Sequence, residues 1–122
     1  MTPARDRVRA TIVSGATVGA RDALVAADLD PGQRSAAILE GLVDGRTTLL
    51  DYSDKLMLHR VAPACLCCTG NLVLRVTLNR ILRLRPDRLY IGVANVDHLD
   101  QLRSWLQTPP YDQLLELTPD LL

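Results

Sequence analysis

Short apolar runs alternate with amphipathic stretches along this chain. The apolar runs are rich in β-branched and aliphatic residues and end near Gly, Pro or Asp, which predicts strands at 8–14, 35–39, 88–94 and 113–117. The amphipathic stretches repeat apolar residues at helical spacing, which predicts helices at 20–29, 72–84 and 96–106. Between them, 40–45 has the pattern of a loop. Weaker strand patterns stand at 49–52 and 56–61, where an irregular excursion fits the sequence equally well.

The alternation of strands and helices predicts βαβ units with right-handed crossovers. We therefore expect an α/β fold in three layers, with a mostly parallel sheet and helices on both of its faces. About four strands and three helices of ordinary length fit the chain. It has 122 residues and neither an internal repeat nor a long linker, so we expect a single domain over 1–122.

Composition narrows the classes of function. Hydrophobic residues make up 48% of the chain, and there is no Phe, so the core has to be aliphatic. The 14 basic and 14 acidic residues balance, and stacking aromatics are scarce, which argues against nucleic acid as a partner. No apolar run is long enough to span a bilayer, and the first ten residues lack the apolar core of a signal peptide. These features predict a cytoplasmic protein without a membrane partner.

All three cysteines fall in one short stretch, at Cys65, Cys67 and Cys68. An odd, clustered set does not suit a secreted disulfide framework. Thiolates prefer soft ions such as Zn²⁺ or Cu(I), and three of them can surround one ion. The stretch precedes a predicted helix start, whose positive end favours the thiolate form. The pattern predicts a metal site or redox-active thiols, while the plainer interpretation is small buried side chains.

Three thiolates leave a fourth position for a tetrahedral ion. His59 lies six residues before the first cysteine and is our candidate for that position. His98, a carboxylate, water or a second chain are the alternatives. A separate basic cluster comprises Arg75, Arg80, Arg83, Arg85 and Arg88. Such a series is typical of a solvated helix face, with an acidic partner as the alternative.

The turn after the first predicted strand has the place of a phosphate-binding loop but lacks its chemistry. In the motif G-x-x-x-x-G-K-[ST], Gly15 matches the first glycine, whereas Ala20, Arg21 and Asp22 replace the last three residues. Arg is bulkier and more forked than Lys, and an Asp repels phosphate. Gly15, Gly19 and Arg21 are thus the nucleotide-binding positions of a degenerate loop. A plain strand–turn–helix without nucleotide is the favoured interpretation.

The order of these parts resembles the front half of the CobW-type GTPases, metallochaperone relatives of UreG and HypB. The resemblance lies in the loop S-G-A-T-V-G-A-R-D, the segment A-C-L-C-C-T-G-N-L and the step R-P-D-R-L-Y-I, and it covers about residues 10–105. It implies a P-loop-NTPase-like fold, shortened relative to the family, and metal binding by Cys65, Cys67 and Cys68. The family's nucleotide residues do not carry over, since Ala20, Arg21 and Asp22 depart from them. Gly92-Val93-Ala94-Asn95 stands where the family has E-[TS]-[TS]-G.

We therefore expect a small metal-binding protein, for Zn²⁺ or another soft metal, that handles or senses the metal and does not hydrolyse GTP. The alternative is a pseudo-GTPase interaction module with metal-free or redox-active cysteines. An active GTPase is the third possibility. A metal-receiving or regulated protein is the expected partner, and exposed sheet edges predict a homodimer.

Overall fold

Strands and helices are interspersed along the computed structural model, which describes residues 7–15, 17–30, 32–41, 56–61, 72–93 and 99–121. The elements in chain order are β1 (Val8–Ser14), α1 (Val18–Asp28), β2 (Ser35–Glu40), β3 (Leu56–Val61), α2 (Leu72–Arg83), β4 (Arg88–Val93), α3 (Leu99–Leu106), α4 (Tyr111–Leu114) and β5 (Leu115–Leu117). The predicted α/β fold is confirmed.

The described strands form one sheet in the order β3-β2-β4-β1-β5, and all of their pairings are parallel. Ile91 of β4 is the register partner of both Ile12 in β1 and Ile38 in β2. Because the inner strands are covered on both faces, they are almost continuously apolar, as the sequence of β2 illustrates.

Side chains alternate between the two faces of the sheet, and each face has its own core. On one face Val13, Leu39 and Tyr90 pack with Val25 of α1. The opposite face carries α2, α3 and α4, whose buried residues join the alternate strand residues. The inward residues of α2 are Leu74, Leu78 and Ile81, spaced four and three apart as an amphipathic helix requires. The three layers are therefore helix, sheet and helix.

Several boundaries differ from the sequence prediction. Helix α1 begins at Val18, earlier than predicted, because the Thr17 hydroxyl accepts a hydrogen bond from Ala20 N and caps the helix. Glu40 ends β2, although the pattern at 40–45 predicted a loop. Residues 113 and 114 are helical, so β5 is shorter than predicted. The weak strand pattern at 56–61 forms β3, which gives the described sheet five strands where about four were expected. The weak strand pattern at 49–52 lies outside the described residues.

The carboxyl ends of the parallel strands meet at one edge of the sheet, where Ser14, Glu40, Val61 and Val93 end their strands. Strands β1 and β4 are neighbours, but the chain leaves β1 toward β2 and leaves β4 toward β5. Such a switch point is where ligands of open α/β sheets bind. A functional site is therefore expected at this edge.

Candidate functional site

Arg21, in the first turns of α1, has its guanidinium turned into the protein at the carboxyl edge. The residue is 3% exposed. Its Nη1 donates to Gly15 O at 2.7 Å and its Nη2 donates to Glu40 O at 3.0 Å. Arg21 thus ties the turn after β1 to the end of β2. The side chain at the position of the motif's phosphate-binding Lys is used inside the protein.

Asp22 is the next residue of α1 and is equally buried. Its carboxylate accepts from both terminal nitrogens of Arg60 in β3, at 2.9 and 3.3 Å. The Arg60 side chain is 12% exposed and that of Asp22 3% exposed, so the pair is largely shielded from water. A two-pronged pair of this kind fixes direction as well as charge. It attaches the carboxyl end of β3 to α1.

The turn after β2 fits closely against the same cluster. Gly41 has φ 98°, and a Cβ there would lie 2.7 Å from Val18 Cγ2 and 3.1 Å from Arg21 Nη2. Its N–H donates to Val61 O at 2.9 Å. Only glycine combines this backbone angle with this approach. The ends of β2 and β3 are therefore held together beneath the start of α1.

The three predicted nucleotide positions separate into two groups. Gly15 and Arg21 are in hydrogen-bonding contact, whereas Gly19 is exposed in the first turn of α1, where a Cβ would meet Thr17 Oγ1 at an ordinary 4.0 Å. The sequence did not reveal that Asp22, Glu40 and Arg60 belong to the same cluster. A charged residue within an apolar strand pattern, as at Arg60, was the available signal.

The predicted metal ligands divide between described and undescribed residues. His59 lies on β3 beside Ile38 of β2 and is half-buried. Because strand residues alternate, it is on the α2 side of the sheet, opposite to Arg60. Cys65, Cys67 and Cys68, and His98, lie outside the described residues. Within 7–15, 17–30, 32–41, 56–61, 72–93 and 99–121, no three His, Cys, Asp or Glu side chains are grouped as metal ligands.

The other end of α1 carries a second polar cluster, around Asp28. Arg88 Nη2 and the Tyr90 hydroxyl both donate to Asp28 Oδ2 at 2.8 Å. The Arg88 guanidinium also stacks over the Tyr90 ring, 5.1 Å from its centre. Burial, and next the hydrogen bond to Asp28, raise the pKa of the Tyr90 phenol well above its ordinary value. Arg88 therefore belongs to the interior and not to the predicted basic surface.

A cleft of about 900 Å³ opens at the amino-terminal edge of the sheet. Arg7, Arg9, Arg85, Asp87 and Glu116 supply its charges. Positive and negative charges are nearly balanced in this cleft. In addition, ligands of open α/β sheets bind at the opposite, carboxyl edge. The cleft therefore adds nothing to the candidate site.

The chain is similar to the zinc chaperone YeiR of Escherichia coli (strain K12), with 32% identity over 97 residues. The aligned region covers 75% of this chain and 29% of that protein, so the chain spans less than a third of the relative it matches. No family profile matches the sequence, and no solved structure matches it. Among the described residues, none of the helices has both the length and the apolarity to cross a bilayer.

Proposed function

We propose that this chain is a cytoplasmic metal-handling protein of the CobW type that binds zinc through Cys65, Cys67 and Cys68. The observation that carries the proposal is the 32% identity to a zinc chaperone. The donor set supports it, because three thiols within four residues form a soft ligand set that suits Zn²⁺. The metal is cargo in this account, held for transfer or sensing.

The segment that contains the thiols is connected at a favourable place in the fold. It follows Val61, which ends β3 at the carboxyl edge, and precedes Leu72, which begins α2. Gly41 N and the Asp22–Arg60 pair hold that end of β3. A ligand segment attached to a fixed strand end loses less conformational freedom when it binds a metal. His59, on the same strand, is the proposed fourth ligand.

Cobalt substitution tests this ligand set. Co²⁺ bound by thiolates has charge-transfer absorption whose intensity follows the number of thiolate ligands. We expect that band in the wild-type chain and a stepwise loss in Cys65→Ser, Cys67→Ser and Cys68→Ser. His59→Ala should change the ligand-field bands and keep the thiolate band, with His98→Ala as its matched control. The absence of any thiolate band in the reduced wild-type chain would contradict the proposed ligand set.

We further propose that the chain does not hydrolyse GTP. The supporting geometry is Arg21, whose guanidinium is committed to the carbonyls of Gly15 and Glu40 and is withdrawn from solvent. Asp22, at the position of the motif's Mg²⁺-binding hydroxyl, is committed to Arg60. Calorimetric titration with Mg²⁺·GTP should release no heat of binding at millimolar nucleotide. Saturable binding, with hydrolysis, would identify an active GTPase instead.

A second candidate function is a pseudo-GTPase interaction module with metal-free or redox-active cysteines. The exposed apolar residues of α2 favour it. If this alternative holds, a triple Cys→Ser variant keeps its protein partner in a pull-down. If metal handling requires the thiols for partner exchange, that variant releases the partner.

Homodimerisation is part of the proposal as well. In the described sheet, β3 and β5 are the outer strands, and an outer strand offers unpaired backbone groups to another chain. Light scattering should give the mass of two chains at high protein concentration. A monomer mass over the whole concentration range would exclude it.

A further inference from the structure

Helix α2 has an apolar outer surface in its first half, on the side that faces away from the sheet. Leu72 is 68% exposed, Val73 48% and Val76 44%. The core side of the helix is already filled by its inward residues. A surface helix normally presents polar residues on its outer side. The three apolar side chains are therefore unlike ordinary solvated positions and together form a patch.

The second half of the same outer side is basic. Arg80 and Arg83 are exposed, and α2 contains no acidic residue. In the described part of the chain, neither arginine has a carboxylate within ion-pair distance. Their position in the last turns complements the helix dipole, but two cations three residues apart repel each other. An acidic group from another chain would offset this repulsion.

The apolar and basic residues share one stripe. At about 100° per residue, Leu72, Val73, Val76, Arg80 and Arg83 fall within an arc of about 100°. That is the width of a helix face that packs against another element. Asn79 flanks the stripe and accepts a hydrogen bond from the Tyr111 hydroxyl of α4 at 3.1 Å, which marks the side where the protein's own helices lie.

We propose that this stripe, the α2 outer surface, binds an acidic amphipathic helix of another protein. Apolar side chains of the partner cover Leu72, Val73 and Val76, and its carboxylates pair with Arg80 and Arg83. The partner has to be acidic because the charged groups of this surface, Arg80 and Arg83, are both cations. Zinc is not needed for this docking, so the proposal is independent of the cysteines.

A second copy of the chain is a poorer occupant of the same surface. Two α2 outer surfaces packed face to face bring Arg80 and Arg83 of one chain near those of the other or near apolar residues. Like charges brought together in an interface repel each other and weaken that arrangement. An acidic helix instead places carboxylates beside Arg80 and Arg83, and this attraction favours binding. The apolar patch and its charge together therefore discriminate between the two occupants.

An NMR titration of the full chain with two synthetic helical peptides tests the proposal. Both peptides carry Leu at helical spacing, and the remaining positions are Glu in one and Lys in the other. We expect the Glu peptide to shift backbone signals of α2, with weaker binding as salt rises. The Lys peptide should bind at least about tenfold more weakly. No shifts on α2 with the Glu peptide, or equal binding of both, would overturn the proposal.

Two protein variants complete the test. Arg80→Glu/Arg83→Glu should lose at least about tenfold in affinity for the Glu peptide, because both cations are reversed. Arg34→Glu, an exposed arginine before β2, is the matched control and should bind as the wild type does. All three side chains are exposed, so folding is retained and thermal melting verifies it. If Arg34→Glu weakens binding equally, or if Leu72→Ser/Val76→Ser dissolves a dimer seen by light scattering, a specific acidic partner is excluded.

Discussion

The two ends of α1 carry similar chemistry in different settings. At its start, Arg21 binds two carbonyl oxygens and Asp22 pairs with Arg60, all largely buried. At its end, Asp28 pairs with Arg88, but the Asp28 side chain is 36% exposed. The first cluster lies at the carboxyl edge and switch point of the sheet, and the second lies toward the amino edge. The residue types of the two clusters are alike, and only their positions in the fold separate them.

The difference in burial also implies that the two clusters contribute differently to the free energy of unfolding. The Nε atoms of Arg21 and Arg88 are both buried with no partner in the part of the chain that the structure describes. Both arginines therefore depend on their Nη contacts. The contacts of Arg21 are to backbone carbonyls, which stay in place when the arginine is removed. The Asp28 carboxylate can instead turn to water.

The largest expected effect comes from Arg21→Leu. It leaves the carbonyls of Gly15 and Glu40 without these donors, and we expect the free energy of unfolding to fall by about 3 kcal/mol. The matched change at the other end, Arg88→Leu, should cost about 1 kcal/mol because Asp28 is partly hydrated. Urea denaturation measures both. An equal or larger cost for Arg88→Leu would contradict the comparison.

A second prediction concerns two glycines near the start of α1. Gly41→Ala forces a left-handed backbone angle on alanine and a Cβ against Val18, at a cost of about 2 kcal/mol. Gly19→Ala adds a methyl group without a steric clash within a helix and should stabilise by about 0.5 kcal/mol. Thermal melting of the two variants gives opposite shifts in Tm. A shift of the same sign in both would show that the turn is less constrained than described.

The third prediction concerns pH and Tyr90. Its raised pKa means that the folded chain keeps the phenol proton at pH values where the unfolded chain, with a pKa of about 10, has lost it. This contribution is therefore complete below about pH 10 and is lost as the pH rises further. Tyr90→Phe should lower the free energy of unfolding by about 1 kcal/mol at neutral pH. As the pH rises into the alkaline range, the stability of this variant should fall less than that of the wild type.

Denaturation at neutral and alkaline pH, with tyrosinate absorbance as a second signal, checks this prediction. The wild type and Tyr90→Phe should converge in stability as the pH rises. If the stability of both proteins falls in parallel over the whole alkaline range, the Tyr90 phenol does not contribute to stability as described.

Much of the fold could be predicted from local patterns. The strand over Val8–Ser14 was found at its full length because its apolar, β-branched run is bounded by a turn glycine. Helix α4 was missed because four residues are too few for a helical period. It depends on contacts with other helices instead, since Tyr111 packs on the Trp105 ring of α3 and its hydroxyl donates to Asn79 Oδ1 of α2 at 3.1 Å.

The candidate site was predictable only in its residue types. The sequence identified Arg21 as a departure from the phosphate-binding motif. That the guanidinium turns to the carbonyl of Glu40 could not be predicted, because a backbone acceptor has no signature in the sequence. The Asp22–Arg60 pair joins residues far apart in the chain, so no local spacing indicates it. The cysteine cluster remains a prediction from sequence, supported by the similarity to a zinc chaperone.

The most direct test of zinc handling is the metal content of the purified chain, prepared without a metal-binding tag or chelator. Elemental mass spectrometry compares the wild type with the variant in which Cys65, Cys67 and Cys68 are all Ser. The account predicts about one zinc ion per chain or per dimer in the wild type and none in the variant. Equal zinc content in the two proteins, or no zinc in either after zinc is added back under reducing conditions, would contradict it.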